Sequence, residues 1–335
     1  MAAMSALAMA FGAPRIAAAQ NEAAHSPKAA PGKTVTDETG RRVAVPPEVK
    51  RIVTLAPDLT ETVYALGLGE RLVGDTEVCD TPAAAKSKPH VGTPVSPNLE
   101  SIVALHPDLV LATTSINRRE TVDALRHLGI AVYSTDPHTV QGMLDSLAHI
   151  AELTGAAEPG TTLVAGLRAR LDALHARLAD LPLVHVLFVI WEDPLITIGQ
   201  NTFVADALRW AGAESVIVSN QNWPRVGLEV VLELQPDYIV LTSDHQKAEG
   251  TESGDLKKRP GWKDLRAVEV GHVVVISEGV DRPAPGLVDA IEELAHVLHP
   301  EAFKEKKENG KVKVENSPWA NTTARCSSEA PACAL

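Results

Sequence analysis

The stretch Asn98-Leu-Glu-Ser-Ile-Val-Ala-Leu-His-Pro-Asp-Leu-Val-Leu111 returns as Gly227-Leu-Glu-Val-Val-Leu-Glu-Leu-Gln-Pro-Asp-Tyr-Ile-Val240, at a constant offset of 129 residues and without a gap. In both copies Leu-Glu opens a short helix, Pro-Asp breaks it, and an apolar, β-branched run follows as a strand. The order upstream repeats as well, with Ile52–Leu55 and Gly67 answered by Val186–Ile190 and Gly212. A unit this long that occurs only twice describes two similar lobes and not a solenoid. Around the repeat, strands are expected at Arg51–Leu55, Leu109–Thr113 and Ile130–Tyr133, and helices at Asp58–Leu66 and Arg118–Leu128. Such alternation predicts an α/β fold of mainly parallel sheets flanked by helices.

Between the two lobes, Leu163, Leu167, Leu171, Leu174 and Leu178 fall on one face of a single long helix over Thr161–Leu181. At 1.5 Å per residue it runs about 30 Å, enough to cross a domain. A coiled-coil partner is the competing reading, but five leucines are too few for sustained heptads. The expected organisation is a lobe over 34–158, a rigid connecting helix over 159–181, a lobe over 182–300 and a tail over 301–335.

Composition bounds the function. The chain has 335 residues, 45% of them apolar, enough for two cores. With 31 Lys+Arg against 43 Asp+Glu the net charge is −12, the wrong sign for a nucleic-acid partner. Three cysteines exclude a disulfide scaffold, although Cys326 and Cys333 could close a small loop, leaving Cys79 over. No apolar run reaches about 18 residues, so no membrane span is expected. Residues 1–19 form a short apolar run closing on Ala17-Ala-Ala-Gln20, the shape of a secretion signal without its basic start; an Ala-rich leader is the alternative. Residues 20–33 read as a linker.

With aromatic residues at 4%, the tryptophans carry information. Trp223 lies in a polar loop, where a planar amphipathic ring suits stacking on a flat ligand, packing being the alternative. Trp191 sits where a strand meets a loop, the end of an open α/β sheet at which ligands bind. Trp210, inside a helical pattern, is expected in the core. Glu278, Asp281 and Arg282 share a loop in which Arg282 either anchors ligand oxygens or pairs with Asp281. Asp58, with Glu61 three residues on, has the pattern of a helix N-cap whose free N–H groups can also meet a ligand. Glu100 and Glu229 are the same position of the repeat; each either complements its own helix dipole or meets a partner. The 12 histidines are scattered, and the close pair His296 and His299 lacks metal-ligand spacing, so no metal site is expected. No phosphate loop or nucleophile elbow is present, and no enzyme is expected.

These segments resemble the periplasmic substrate-binding proteins of ABC importers, in the helical-backbone class that carries cobalamin, ferric siderophores, haem or metal ions. Thr36-Asp-Glu-Thr-Gly-Arg-Arg-Val-Ala-Val-Pro46 looks like that family's lead-in hairpin. Arg51-Ile-Val-Thr-Leu-Ala-Pro57 with Thr60-Glu61 is similar to its first strand and helix, and the likeness extends over Thr34–His299. Asn222-Trp-Pro-Arg-Val226, Phe188–Pro194 and Ser277–Arg282 are most similar to the cobalamin-binding branch. Val78 stands where that branch has a tyrosine, and Gly92-Thr-Pro-Val lacks a Trp found there.

The resemblance implies a monomeric periplasmic receptor, without a cofactor of its own, that holds cobalamin or a related corrinoid in an interlobe cleft. Pro57, Asp58, Asp80, Trp191, Asn222, Trp223, Arg225, Glu278 and Arg282 would line the ligand. Glu100 and Glu229 would dock on the permease of a permease–ATPase complex at the inner membrane. Alternatives are a ferric-siderophore or haem receptor on the same fold, and a cleft enzyme using a cobalt or iron cofactor.

Overall fold

A computed structural model describes residues 32–243 and 253–304. The expected secretion signal, nearly all of the linker, and Cys326 and Cys333 lie outside the described residues. Two compact units emerge. Described residues up to Asp136 and Ile150–Ala157 form the first, and Pro137–His149 and residues from Glu158 onward form the second.

The first unit opens on an antiparallel hairpin of β1 (Lys33–Thr36) and β2 (Arg42–Val45). Then come β3 (Ile52–Thr54), α1 (Pro57–Ala65), β4 (Leu72–Gly74), α2 (Leu99–Ala104), β5 (Leu109–Thr113), α3 (Arg119–His127) and β6 (Val132–Thr135). Its four-stranded sheet runs β4-β3-β5-β6, all parallel. Val53, Val110 and Ala112 lie in a core that Ile102, Val122 and Leu125 close from the helices.

Two helices follow, α4 (Val140–Leu153) and α5 (Ala157–Leu178), and then the second unit's strands and helices. These are β7 (Val184–Glu192), β8 (Leu195–Thr197), α6 (Phe203–Trp210), β9 (Ala213–Ser215), α7 (Leu228–Leu234), β10 (Tyr238–Thr242), α8 (Arg266–Val270), β11 (Val273–Ile276) and α9 (Gly286–Leu298). Strands β9, β7, β10 and β11 lie parallel in that order, and β8 folds back antiparallel on the end of β7. Both sheets therefore share one strand order, as the repeat implies.

The repeated Pro-Asp has a physical reason. The residue before the proline, His106 in one copy and Gln235 in the other, turns left-handed at φ 44° and 46° and ends its helix. The aspartate that follows reaches the start of the unit's first long strand. Asp108 Oδ2 accepts from the N–H groups of Lys50 and Arg51 at 2.8 Å each, and Asp237 Oδ2 accepts from His185 N–H at 3.0 Å. The aspartates' own N–H groups donate to Arg51 O and His185 O. Gly67 and Gly212 match too, both at φ 75° just past a helix, a conformation that favours glycine.

The expected long helix is present as α5. Its Leu167, Leu171, Leu174 and Leu178 are buried in the second unit's core with Met143, Leu144 and Leu147 of α4. Arg170 reinforces this by pairing with Asp289 and, at 2.7 Å, with Glu292 of α9. A leucine face that wide was bound to pack; the periodicity does not say against what. Helix α4 contributes residues to both units. The tail boundary moves as well. Pro300–Phe303 forms a 3-10 turn, and Phe303 stacks on His296 at 3.6 Å beneath the Arg177 guanidinium. His299 is buried with Nε2 on Gly212 O at 3.0 Å, so this histidine pair is structural.

Removing the corner carboxylate should cost more in the first unit, where it accepts two N–H groups. Asp108→Ala is expected to lose about 2 kcal/mol and Asp237→Ala about 1 kcal/mol, read from urea unfolding. Wild-type stability in both variants would contradict this role.

Candidate ligand-binding site

In the second unit, β7 ends at Trp191-Glu192, turns through the cis Asp193–Pro194 bond, and returns as β8. The segment Asn222–Val226 then joins the free edge of β8. Gly199 N–H donates to Asn222 O at 2.8 Å, Thr197 N–H to Pro224 O at 3.1 Å, and Val226 N–H to Leu195 O at 3.0 Å. Register follows from these bonds. Trp191 stands opposite Ile196, and Ile196 opposite Arg225. Trp191 and Arg225 thus stand in register on either side of Ile196, and Trp223 lies two residues before Arg225 in the bend that leads into this pairing.

Both rings are open to a ligand, Trp191 at 41% exposure and Trp223 at 48%, in a chain whose large apolar side chains are mostly buried. Trp191 Nε1 donates to Asp193 O at 2.9 Å, which fixes that ring by its polar edge. Trp210 belongs to α6, packs against the core and meets His175 edge-on, as its helical position implies.

A cavity of about 830 Å³ beside the ribbon is walled by Glu192, Leu195, Arg225, Arg259 and Trp262. Glu192 is buried and ion-paired with Arg259. Reading the sequence misses this pair and misses Trp262, although the scarcity of rings was a reason to ask what Trp262 does. Farther along, Glu278 opens a 3-10 turn and Arg282 closes it, the two forming an ion pair at 3.4 Å. Loop acid and loop arginine therefore meet as a unit.

In the first unit, the expected capping role of Asp58 is corrected. The N-cap is Ala56, Pro57 takes the first helical position, and no side chain caps the helix. A proline at that position shifts the start back by one, leaving Asp58 buried in the first turn, where the dipole favours its charge. Behind it Thr60 bonds to Thr54 at 2.6 Å and to Cys79 Sγ at 3.2 Å, and Thr76 reaches the same sulfur at 3.1 Å. Cys79 is a free cysteine whose thiol burial pushes up. Val78 and Asp80 flank it on the exposed side of the loop, before the cis Thr81–Pro82 bond. Asp75 begins this loop; its carboxylate is wholly buried, bonded to His90 Nδ1 at 2.8 Å, and burial raises its pKa despite that partner.

Glu100 and Glu229 are both exposed in the first turns of α2 and α7. Their settings differ. Asn98 caps α2 by accepting from Ser101 N–H at 3.0 Å, whereas α7 starts at Gly227 without a side-chain cap. The Glu229 carboxylate instead lies against Gly227, 2.0 Å from where a Cβ would stand. Among the described residues no group of three or more His, Cys, Asp or Glu side chains is placed to hold a metal ion. No described helix is long and apolar enough to cross a membrane.

Residues 52–279 match the family model described as periplasmic binding protein. The chain belongs to that family. It is 31% identical over 281 residues to an uncharacterized ABC transporter substrate-binding lipoprotein, YvrC, of Bacillus subtilis, spanning 81% of this chain and 87% of the relative. The crystal structure of the periplasmic vitamin B12 binding protein BtuF of Vibrio cholerae superposes with a TM-score of 0.67 at 28% identity, covering 77% of this chain and 99% of that one. The periplasmic heme-binding protein RhuT from Roseiflexus gives 0.68 at 25% identity, covering 76% and 99%. Members of the family are substrate-binding proteins of ABC transporters and not enzymes, which sets aside the cofactor-enzyme alternative. What they hold is a ligand rather than a cofactor.

Because the fold raises the pKa of Asp75, this group favours the folded state at low pH and loses that contribution as pH rises through its folded pKa. Asp75→Asn is expected to gain unfolding midpoint relative to wild type between pH 4 and pH 7. A constant difference across that range would contradict the assignment.

Proposed function

We propose that this protein captures cobalamin or a related corrinoid outside the cytoplasm, in the periplasm, and delivers it to an ABC permease–ATPase complex. The observation that carries the reading is the pair of exposed indoles, Trp191 and Trp223, with Trp191 in register with Arg225 across β8. Two open indoles suit the flat face of a macrocycle, and the guanidinium suits oxygens at its rim. Asn222 adds an amide beside them. The Glu278–Arg282 pair supplies both a donor fork and an acceptor from a second loop. In the first unit Pro57, Asp58 and Asp80 are the candidates for ligand contact, with Val78 as an exposed apolar side chain beside them.

Haem is the second reading, favoured by the likeness to a heme-binding structure and by the same suitability of indoles for a planar tetrapyrrole. The two ligands differ at their edges, amides on the corrin and carboxylates on haem. Titration of the purified protein with cyanocobalamin, haemin and a ferric hydroxamate, followed by Trp fluorescence, separates them. Saturable quenching by cyanocobalamin that weakens about tenfold in Trp223→Ala, ~1.4 kcal/mol, is the expected result. Saturation by haemin or the hydroxamate alone would move the assignment to that ligand.

Docking is assigned to Glu100 and Glu229, one carboxylate per unit at equivalent positions of the repeat, suited to a partner with two-fold symmetry and cationic pockets. Reversing both to Lys should abolish uptake in cells and leave the solution affinity for ligand unchanged. A fall in affinity would place these acids at the ligand instead.

A further inference from the structure

The two sheets share a strand order but differ at one outer edge. In the first unit the chain runs on from β4 into Asp75–Glu77, and a later segment pairs with it from outside. Asp75 N–H donates to Pro89 O at 3.0 Å, Val91 N–H to Asp75 O at 2.7 Å, and Glu77 N–H to Gly92 O at 3.0 Å. In the second unit β9 holds the place of β4. It pairs with β7, and among the described residues no strand pairs with its other edge. Three residues past its end, Val218 is 78% exposed, more than any other large apolar side chain among the described residues.

A groove of about 400 Å³ follows this edge, lined by Ala205 and Arg209 of α6, by Val216 and Val218, and by Leu234 and Gln235 at the end of α7. Helix α6 packs with Val186 and Phe188 of β7, and α7 with Leu187 and Val189, so the two helices cover opposite faces of the sheet. A groove that reaches both helices therefore has the sheet edge as its floor, and an extended segment fits it as one more strand. Glu214 and Asp237 also line it, each half exposed and each within reach of His185, at 3.2 and 3.5 Å. His185 and its register partner Glu214 fall on the α7 face by strand alternation, which makes that wall acidic.

The described chain leaves the second unit beside this groove. His299 Nε2 bonds to the carbonyl of Gly212, the residue before β9, and the turn Pro300–Phe303 follows at once. Burial, Glu301 and Asp237 together push up the pKa of Tyr238, which sets Glu301 near the same acidic wall. Past Lys304 the sequence carries Lys311-Val-Lys-Val-Glu315, cationic and apolar in alternation, the pattern of a strand with one apolar face. From Lys304 to Lys311 an extended chain spans up to about 24 Å, enough to run the length of β9.

We propose that Lys311–Glu315 lies along the outer edge of β9 as an added strand, its lysines towards Glu214 and Asp237 and its valines towards Ala205 and the aliphatic stem of Arg209. The occupant is thus a segment of the same chain, and it closes an edge open to pairing with other chains. Nothing in this depends on which ligand the protein carries.

Amide hydrogen exchange of the full chain, read by mass spectrometry at two protein concentrations, tests it. Residues 311–315 should be protected equally at both concentrations. Val312→Asp/Val314→Asp should speed exchange roughly tenfold in 311–315 and at the outward amides of 213–218, with β5 and β10 unchanged. Val218→Asp, at an exposed position of the groove, should release 311–315 in the same way. Exchange of 311–315 in the wild-type chain at the rate of an unstructured peptide would overturn the proposal. So would exchange in 213–218 that the double variant leaves unchanged, or protection that grows with concentration, which assigns the edge to a second copy of the chain.

Discussion

A carboxylate at the corner between a short helix and the next strand holds each unit of this protein in register. Asp108 and Asp237 do the same thing 129 residues apart, accepting N–H groups where the first long strand of each sheet begins. That bond ties the third strand of the unit to the first, sets them side by side, and leaves the second and fourth strands to the flanks. Because the proline before it cannot continue the helix and the residue before that turns left-handed, helix end and strand start are fixed within three residues.

The second unit departs from the first by one insertion with functional weight. Between its first and second parallel strands, β7 extends, turns at Pro194 and comes back as β8, whose free edge takes up Asn222–Val226. This ribbon aligns Trp191 and Ile196 of one hairpin with Arg225, about 30 residues farther along the chain. The same ribbon carries two exposed indoles and borders the cavity walled by the Glu192–Arg259 pair and Trp262. In the first unit a buried network around Cys79 occupies the corresponding work, and exposed rings are absent from its described loop at Val78–Asp80. The proposed recognition by flat apolar faces thus falls mainly to the second unit.

Much of the fold was legible because its evidence is local or repeated. The strand Leu109–Thr113 follows from its β-branched run, and the helix ends at Gly67 and Gly212 follow from glycine's freedom at positive φ. What the sequence could not disclose were choices made by packing. The leucine stripe of α5 announced a buried face but not that the second unit's core would bury it. Asp58 has a capping residue's spacing, and Pro57 pre-empts it. Of the site, Trp223 was identifiable by its isolation from any apolar period and Trp191 by its place at a strand end, whereas the shared face of Trp191 and Arg225 depends on antiparallel pairing that no single segment encodes. Glu192 and Arg259, 67 residues apart, are joined only by the fold.

The central claim is that the second unit's paired indoles hold a corrin ring. Isothermal titration calorimetry of the purified chain with cyanocobalamin, repeated at several temperatures, tests it most directly. The account predicts one site per chain and a negative heat-capacity change from burying apolar ring surface. No measurable heat with cyanocobalamin, alongside one-to-one binding of haemin under the same conditions, would contradict it.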